Sequence, residues 1–195
     1  MCGIVGIAST KSCVTEVIRG LYSLEYRGYD SAGIAFLDKK KIIEKKSVGK
    51  IKELEKKIKK SNSSGDVVIG HTRWATHGEP SIKNCHPFVK KTCALVHNGI
   101  IENYEEIRKQ LKLDSRNIKS DTDSEIIAEG FNKYLQKNSD IIMNIVNISK
   151  KIKGTFSFAI LVKENNAIFG TRKGSPLVLG IGDNFNSVSS DILGL

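Results

Sequence analysis

Cys2 has the most chemistry available to it of any residue in the chain. Gly3 follows it and its own side chain is small, a combination that permits removal of an initiator methionine. The mature chain would then carry a thiol and a free α-amine on one residue. An α-amine with a reference pKa of about 7.7 to 8.0 is partly neutral at pH 7, so it can take the thiol proton directly or through a water. Nucleophile and base would come from a single residue, as in N-terminal threonine enzymes. A cysteine at position 2 also reads as a small apolar start to a strand, and position alone does not separate the two readings.

Three further groups have side chains suited to a polar substrate. His71-Thr72-Arg73-Trp74-Ala75-Thr76-His77-Gly78-Glu79-Pro80 puts an arginine, two hydroxyls, two histidines and the only tryptophan into one loop after an apolar strand. Arg73 there suits bidentate capture of a carboxylate, with Thr76 and His77 able to bond the same ligand; structural Arg–Trp stacking is the competing reading. Asn98-Gly99 sits at a bend within an apolar strand, where an amide and an adjacent N–H can aim at one point, the geometry of an oxyanion hole. The same dipeptide is also an ordinary turn. Asp123 opens a helix, where the dipole favours its carboxylate, and with Arg73 it would grip the two charges of an α-amino acid.

Metal and nucleotide chemistry fit poorly. Cys85, His86, Cys93 and His97 follow no common zinc spacing, and the last two fall on one strand. Gly180-Ile181-Gly182 lacks the third glycine and the helix of a dinucleotide loop. The four cysteines, Cys2, Cys13, Cys85 and Cys93, form no CxxC pair and are expected as free thiols.

Positioning these groups takes two strand-rich regions around a helical middle. Periodicity and turn residues predict strands Gly3–Ala8, Ile34–Leu37, Lys41–Lys46, Val67–His71 and Cys93–Ile101, then Thr155–Val162, Ala167–Gly170, Leu177–Ile181 and Asn186–Ser189. Helices are predicted over Val14–Leu24, Tyr104–Leu111, from the Thr122-Asp123-Ser124-Glu125 capping box to about Gln136, and over Asp140–Ile152. No repeat or linker divides the 195 residues, so one domain is expected.

Composition narrows the class. The chain is 39% hydrophobic and 27% charged with no apolar run near the roughly 20 residues of a membrane span, which excludes a helical membrane protein and a disordered one. The N-terminus lacks a basic n-region, so a cytoplasmic protein is expected. Net charge is +10, but the stretch from Lys39 to Lys60 holds eleven lysines against three glutamates and supplies most of it. Ile51, Leu54 and Ile58 recur there at helical spacing, the pattern of a solvated helix packed by one face. Without arginines and interleaved aromatics in that stretch, no nucleic-acid partner is expected. The largely apolar last residues, Ser190 to Leu195, suggest the front portion of a longer protein.

Taken in order, Cys2-Gly3-Ile4-Val5-Gly6, Leu24-Glu25-Tyr26-Arg27-Gly28-Tyr29-Asp30-Ser31-Ala32-Gly33, His71 through Pro80, His97-Asn98-Gly99-Ile100-Ile101-Glu102-Asn103-Tyr104, Asp121 through Glu125 and Arg172-Lys173-Gly174-Ser175-Pro176-Leu177 closely resemble the glutaminase domain of the glucosamine-6-phosphate synthase family, within the class II glutamine amidotransferases. The resemblance covers essentially the whole chain. It implies an α+β fold, the αββα sandwich of N-terminal-nucleophile hydrolases, with two antiparallel sheets between helix layers. It implies Cys2 as nucleophile, Asn98 and the Gly99 N–H as oxyanion hole, and Arg73, Thr76, His77 and Asp123 as the grip on L-glutamine. The loop around Trp74 would close over the substrate, and Arg27 and His86 would play supporting parts. No metal or organic cofactor is implied. The family continues into sugar isomerase domains, absent from these residues, that use the released ammonia to convert fructose 6-phosphate into glucosamine 6-phosphate. A silent binding module of this fold would be expected to lose Cys2 or Asn98, and both are present.

Overall fold

In the computed structural model, which describes residues 2–74, 79–137 and 140–195, two antiparallel sheets lie face to face between helices. The elements run β1 (Gly3–Ser9), α1 (Val14–Ser23), β2 (Ser31–Asp38), β3 (Lys41–Val48), α2 (Ile51–Lys60), β4 (Val67–Arg73), β5 (Phe88–Val89), β6 (Cys93–Ile101), α3 (Tyr104–Gln110), α4 (Asp123–Leu135), α5 (Ile141–Ser149), β7 (Gly154–Val162), β8 (Ala167–Lys173), β9 (Val178–Ile181) and β10 (Phe185–Ser189). The first sheet has the order β3-β2-β4-β1-β10-β9 and the second β5-β6-β7-β8.

Side chains alternate across a strand, and this alternation builds the layers. Along β1, Val5 and Ile7 face α1 and α2 while Ile4 faces the other sheet. Along β4, Val68 packs with the helices while Val67 and Ile69 face inward. In β6, Ala94 and Val96 face inward, whereas Cys93, Leu95 and Ile101 pack with α3, α4 and α5. Ala35, Ala94 and Ala159 keep the layer between the sheets thin. Continuing the same period puts Cys2, His71, Arg73 and Asn98 on the inter-sheet side, at one end of the sandwich. This is the αββα arrangement expected from the sequence.

The lysine-rich helix α2 buries Ile51, Leu54 and Ile58 and leaves its lysines in water. Each buried aliphatic side chain is worth about 1.5 to 3 kcal/mol. The exposed Lys56–Glu53 and Lys59–Glu55 pairs are screened and add little, so the apolar stripe decides where the helix sits. No side chain of its own caps this helix; the Glu25 carboxylate accepts the Ile51 N–H at 2.9 Å instead.

At the start of α4 the expected capping box is half formed. The Thr122 hydroxyl accepts the Glu125 N–H at 3.4 Å. The Glu125 carboxylate does not return the bond; it accepts the N–H groups of Lys119 (2.8 Å) and Ser120 (2.5 Å) and pairs with Lys90 at 2.8 Å. Lys90 comes from the β5–β6 connection, so tertiary pairing displaces the local cap. Among the described residues no helix is long and apolar enough to cross a membrane.

Candidate active site

β1 runs antiparallel to β4 with Gly3 opposite Thr72, so Cys2 emerges beside Arg73 and Trp74. The Trp74 N–H donates to Cys2 Sγ at 3.3 Å, and the Cys2 carbonyl is held by two donors, Asn98 Nδ2 at 2.9 Å and Arg27 Nε at 3.2 Å. Burial pushes the Cys2 thiol up from its ordinary value; the Trp74 N–H and the Arg73 charge act in the opposite direction. A resting thiol, not a thiolate, is therefore what a base at this site must activate.

Two glycines make this end of the sheet possible. A Cβ at Gly28 would lie 2.5 to 2.7 Å from the Arg73 and Trp74 backbone. Any side chain there would push away the peptide that donates to Cys2. The Gly28 carbonyl in turn accepts the Thr72 hydroxyl. Gly99 has φ +125°, and a Cβ there would run into the Thr155 carbonyl oxygen. The expected bend at Asn98-Gly99 is thus a backbone distortion within a strand whose pairing to β7 continues, with Asn98 opposite Ser157 and Gly99 opposite Phe156. It is not a hairpin turn.

Asp123, buried at the first position of α4, accepts the Ile101 N–H at 2.9 Å through one oxygen and the Ser124 hydroxyl at 3.1 Å through the other. Ser124 Oγ lies 2.8 Å from His97 Nδ1. Arg73, the last residue of β4, is buried, and Trp74 beyond it is exposed with its ring edge-on to Tyr29 at 5.6 Å. Cys2, Arg73, Trp74, Gly99 and Asp123 border one cavity of about 30 Å³, with His86 and His97 in its wall. That is room for about one water. A groove of about 690 Å³ lies elsewhere, by Lys90, Arg116 and Glu125, but its described lining has neither cysteine nor histidine and its charges are largely paired.

Of the residues singled out in the sequence, Cys2, Arg27, Arg73, Trp74, His86, Asn98, Gly99 and Asp123 come together here. Thr76 and His77 lie outside the described residues. Arg27 bridges Cys2 to Asp191, which it meets at 2.7 Å, and Tyr26 donates to the same carboxylate at 3.0 Å. Sequence reading passed over Asp191, placed Ser124 only in the capping box, and named His71 in its loop without giving it a role. His71 had a usable signal, since it shares the β4 face with Ile69 and Arg73. Among the described residues no three His, Cys, Asp or Glu side chains gather as metal ligands. Cys93 turns its sulfur to the Ala128 carbonyl, away from Cys85, whose sulfur lies by the Ala32 and His86 carbonyls.

The three described histidines are buried and neutral. Burial lowers His71 to about 3 and His97 to about 4, and holds His86 well below the ordinary imidazole value. Below about pH 6.5 the unfolded chain protonates these rings and the folded chain does not. The stability they confer is therefore complete above that pH and is lost as pH falls toward 4. Three such rings give a slope of roughly 4 kcal/mol per pH unit near pH 5. The urea midpoint should drop steeply from pH 7 to pH 5; a flat profile would contradict burial of neutral rings.

A profile of the glutamine amidotransferase domain family matches residues 71–193. Over the whole chain, identity is 48% to a glutamine–fructose-6-phosphate aminotransferase (isomerizing) of Francisella tularensis, and it is 44% over 98% of the chain to the protein of that name from Aquifex aeolicus. The chain spans about a third of their length, 32% and 33%. Among solved structures, glutamine phosphoribosylpyrophosphate amidotransferase from B. subtilis superposes with a TM-score of 0.83 at 25% identity, over 99% of this chain and 42% of that one. Sequence, fold and the gathering of residues around Cys2 agree: the chain belongs to the glutamine amidotransferase domain family.

Proposed function

We propose that residues 2–195 form a glutaminase domain that hydrolyses L-glutamine to glutamate and ammonia, with Cys2 as the nucleophile. The observation that carries this reading is the approach of Asn98 Nδ2 and the Trp74 N–H to opposite ends of Cys2, carbonyl and sulfur, beside a buried arginine and a buried carboxylate. After removal of Met1, the α-amine takes the Cys2 thiol proton and the sulfur attacks the carboxamide carbon. Asn98 Nδ2 and the Gly99 N–H donate to the oxygen that becomes negative, where donors count most. The carbon–nitrogen bond breaks as the α-ammonium returns its proton to the departing nitrogen, giving ammonia and a γ-glutamyl thioester. Water, deprotonated by the free amine, then releases glutamate and restores the thiol.

Arg73 takes the substrate α-carboxylate and Asp123 its α-ammonium; Thr76 and His77, outside the described residues, are further proposed ligands. The cavity at the nucleophile is smaller than glutamine, which agrees with a Trp74 segment that moves to admit substrate and closes over it. Arg27 fixes the Cys2 carbonyl. His86 supplies a neutral packing wall. The reaction, as written, uses no cofactor. We further propose that the chain acts in the cytoplasm, and that sugar isomerase domains in a longer protein use the ammonia to make glucosamine 6-phosphate from fructose 6-phosphate.

The test is ammonia release from glutamine and from analogues blocked at either end. Glutamine esterified at the α-carboxylate or acylated at the α-amine should be a poor substrate. Arg73→Ala and Asp123→Asn should each lose about 2 to 5 kcal/mol in kcat/KM, since each strands a substrate charge. Unchanged kcat/KM in both variants would remove glutamine as the substrate.

A further inference from the structure

His71 touches no part of the cavity that would hold glutamine, yet its ring reaches Asn98. Nε2 of His71 lies 3.0 Å from the His97 carbonyl oxygen and 3.1 Å from Asn98 Oδ1. The backbone carbonyl can only accept, so Nε2 must carry the proton. That proton then meets Oδ1 of Asn98, which sends the Asn98 NH₂ the other way, to the Cys2 carbonyl at 2.9 Å. Turning the amide over would set NH₂ against N–H on one side and oxygen against oxygen on the other. The ring cannot swing aside: it is 1% exposed, packed against His86 with centroids 4.1 Å apart and planes tilted by 32°, and carried on β4 between Ile4 of β1 and Gly33 of β2.

We infer that His71 is a positioning residue for glutamine hydrolysis: a fixed backbone carbonyl sets its tautomer, and its Nε2–H sets the orientation of the Asn98 amide, keeping the NH₂ turned toward Cys2. The inference rests on the proposed reaction and adds a residue to it. Burial favours the neutral ring this needs, since a second proton on Nδ1 would find no partner there. His71 acts through Asn98 and touches no reacting atom. Its removal should therefore appear in the step where the oxyanion forms and not in glutamine affinity.

The experiment is a double-mutant cycle in glutamine hydrolysis, with kcat and KM read separately. His71→Leu should lower kcat roughly 10- to 100-fold with KM within about twofold of wild type. His71→Gln, which can place an N–H near the same point, should recover most of the loss. In an Asn98→Ala background His71→Leu should cost less than about twofold, because the amide it positions is gone. An undiminished loss in that background, or full kcat in folded His71→Leu, would overturn the inference. Nitrogen-15 NMR of the wild-type imidazoles tests the tautomer without any variant: an Nε2–H signal for His71 supports the assignment and an Nδ1–H signal refutes it. Wild-type protein that does not hydrolyse glutamine, or Asn98→Ala at full kcat, would instead sink the reaction itself.

Discussion

Cys2→Ala should abolish glutamine hydrolysis, and an uncleaved extension on the α-amine of an otherwise wild-type chain should do the same. The thiol is held protonated by burial, so losing the base is as damaging as losing the sulfur. The comparison requires intact masses, one chain beginning at Cys2 and one retaining its extension, assayed for ammonia side by side. Full activity in the extended chain would show that another group accepts the proton. The other cysteines serve as controls. Burial pushes Cys13 and Cys93 up to about 12 and Cys85 to about 11, so none offers a thiolate near neutral pH, and each should accept alanine with activity largely kept.

Asn98 carries the second large expectation. Asn98→Ala should lower kcat by roughly 10² to 10³ with little change in glutamine affinity, because in the proposed reaction its NH₂ would act on charge that exists only in the transition state. Asn98→Asp should be at least as harmful. It would set a carboxylate oxygen against the Cys2 carbonyl, and a negative charge beside the place where another forms. Asparagine and aspartate share the same backbone preferences, so a residue needed only for chain direction would keep its kcat as aspartate and show any cost in melting temperature. Near wild-type kcat in the aspartate variant would move the oxyanion hole elsewhere.

Much of this arrangement could be read before any coordinates, and the exceptions have physical causes. β6 runs from Cys93 to Ile101 as expected, because its apolar run is long and rich in strand formers. β2 starts at Ser31, three residues ahead of the Ile34 that hydropathy suggests. Ser31, Ala32 and Gly33 have little strand preference of their own and are held by pairing with Arg73, Thr72 and His71. β5, only Phe88 and Val89, exists through its pairing with β6 and leaves no periodic trace. Local signals singled out Cys2, Asn98, Arg73 and Asp123, which the fold brings together, because each stands in a distinctive short motif. The contacts that orient them escaped notice: His71 reaches Asn98 across two sheets, and Asp191 reaches Arg27 across most of the chain. Partners so distant in sequence share no motif.

The placement of β1 also sets an order of events during synthesis. The strand that leads from Cys2 is internal to its sheet, with β4 on one side and β10 on the other, Val5 lying opposite both Gly70 and Ser189. Its second neighbour, and the Asp191 that anchors Arg27, leave the ribosome only near the end of these 195 residues. Until then the first residues have one partner strand at most. On the proposed reaction, which needs Met1 removed, this order leaves an aminopeptidase time to trim the nascent chain before the end of the sheet that carries Cys2 is locked in place.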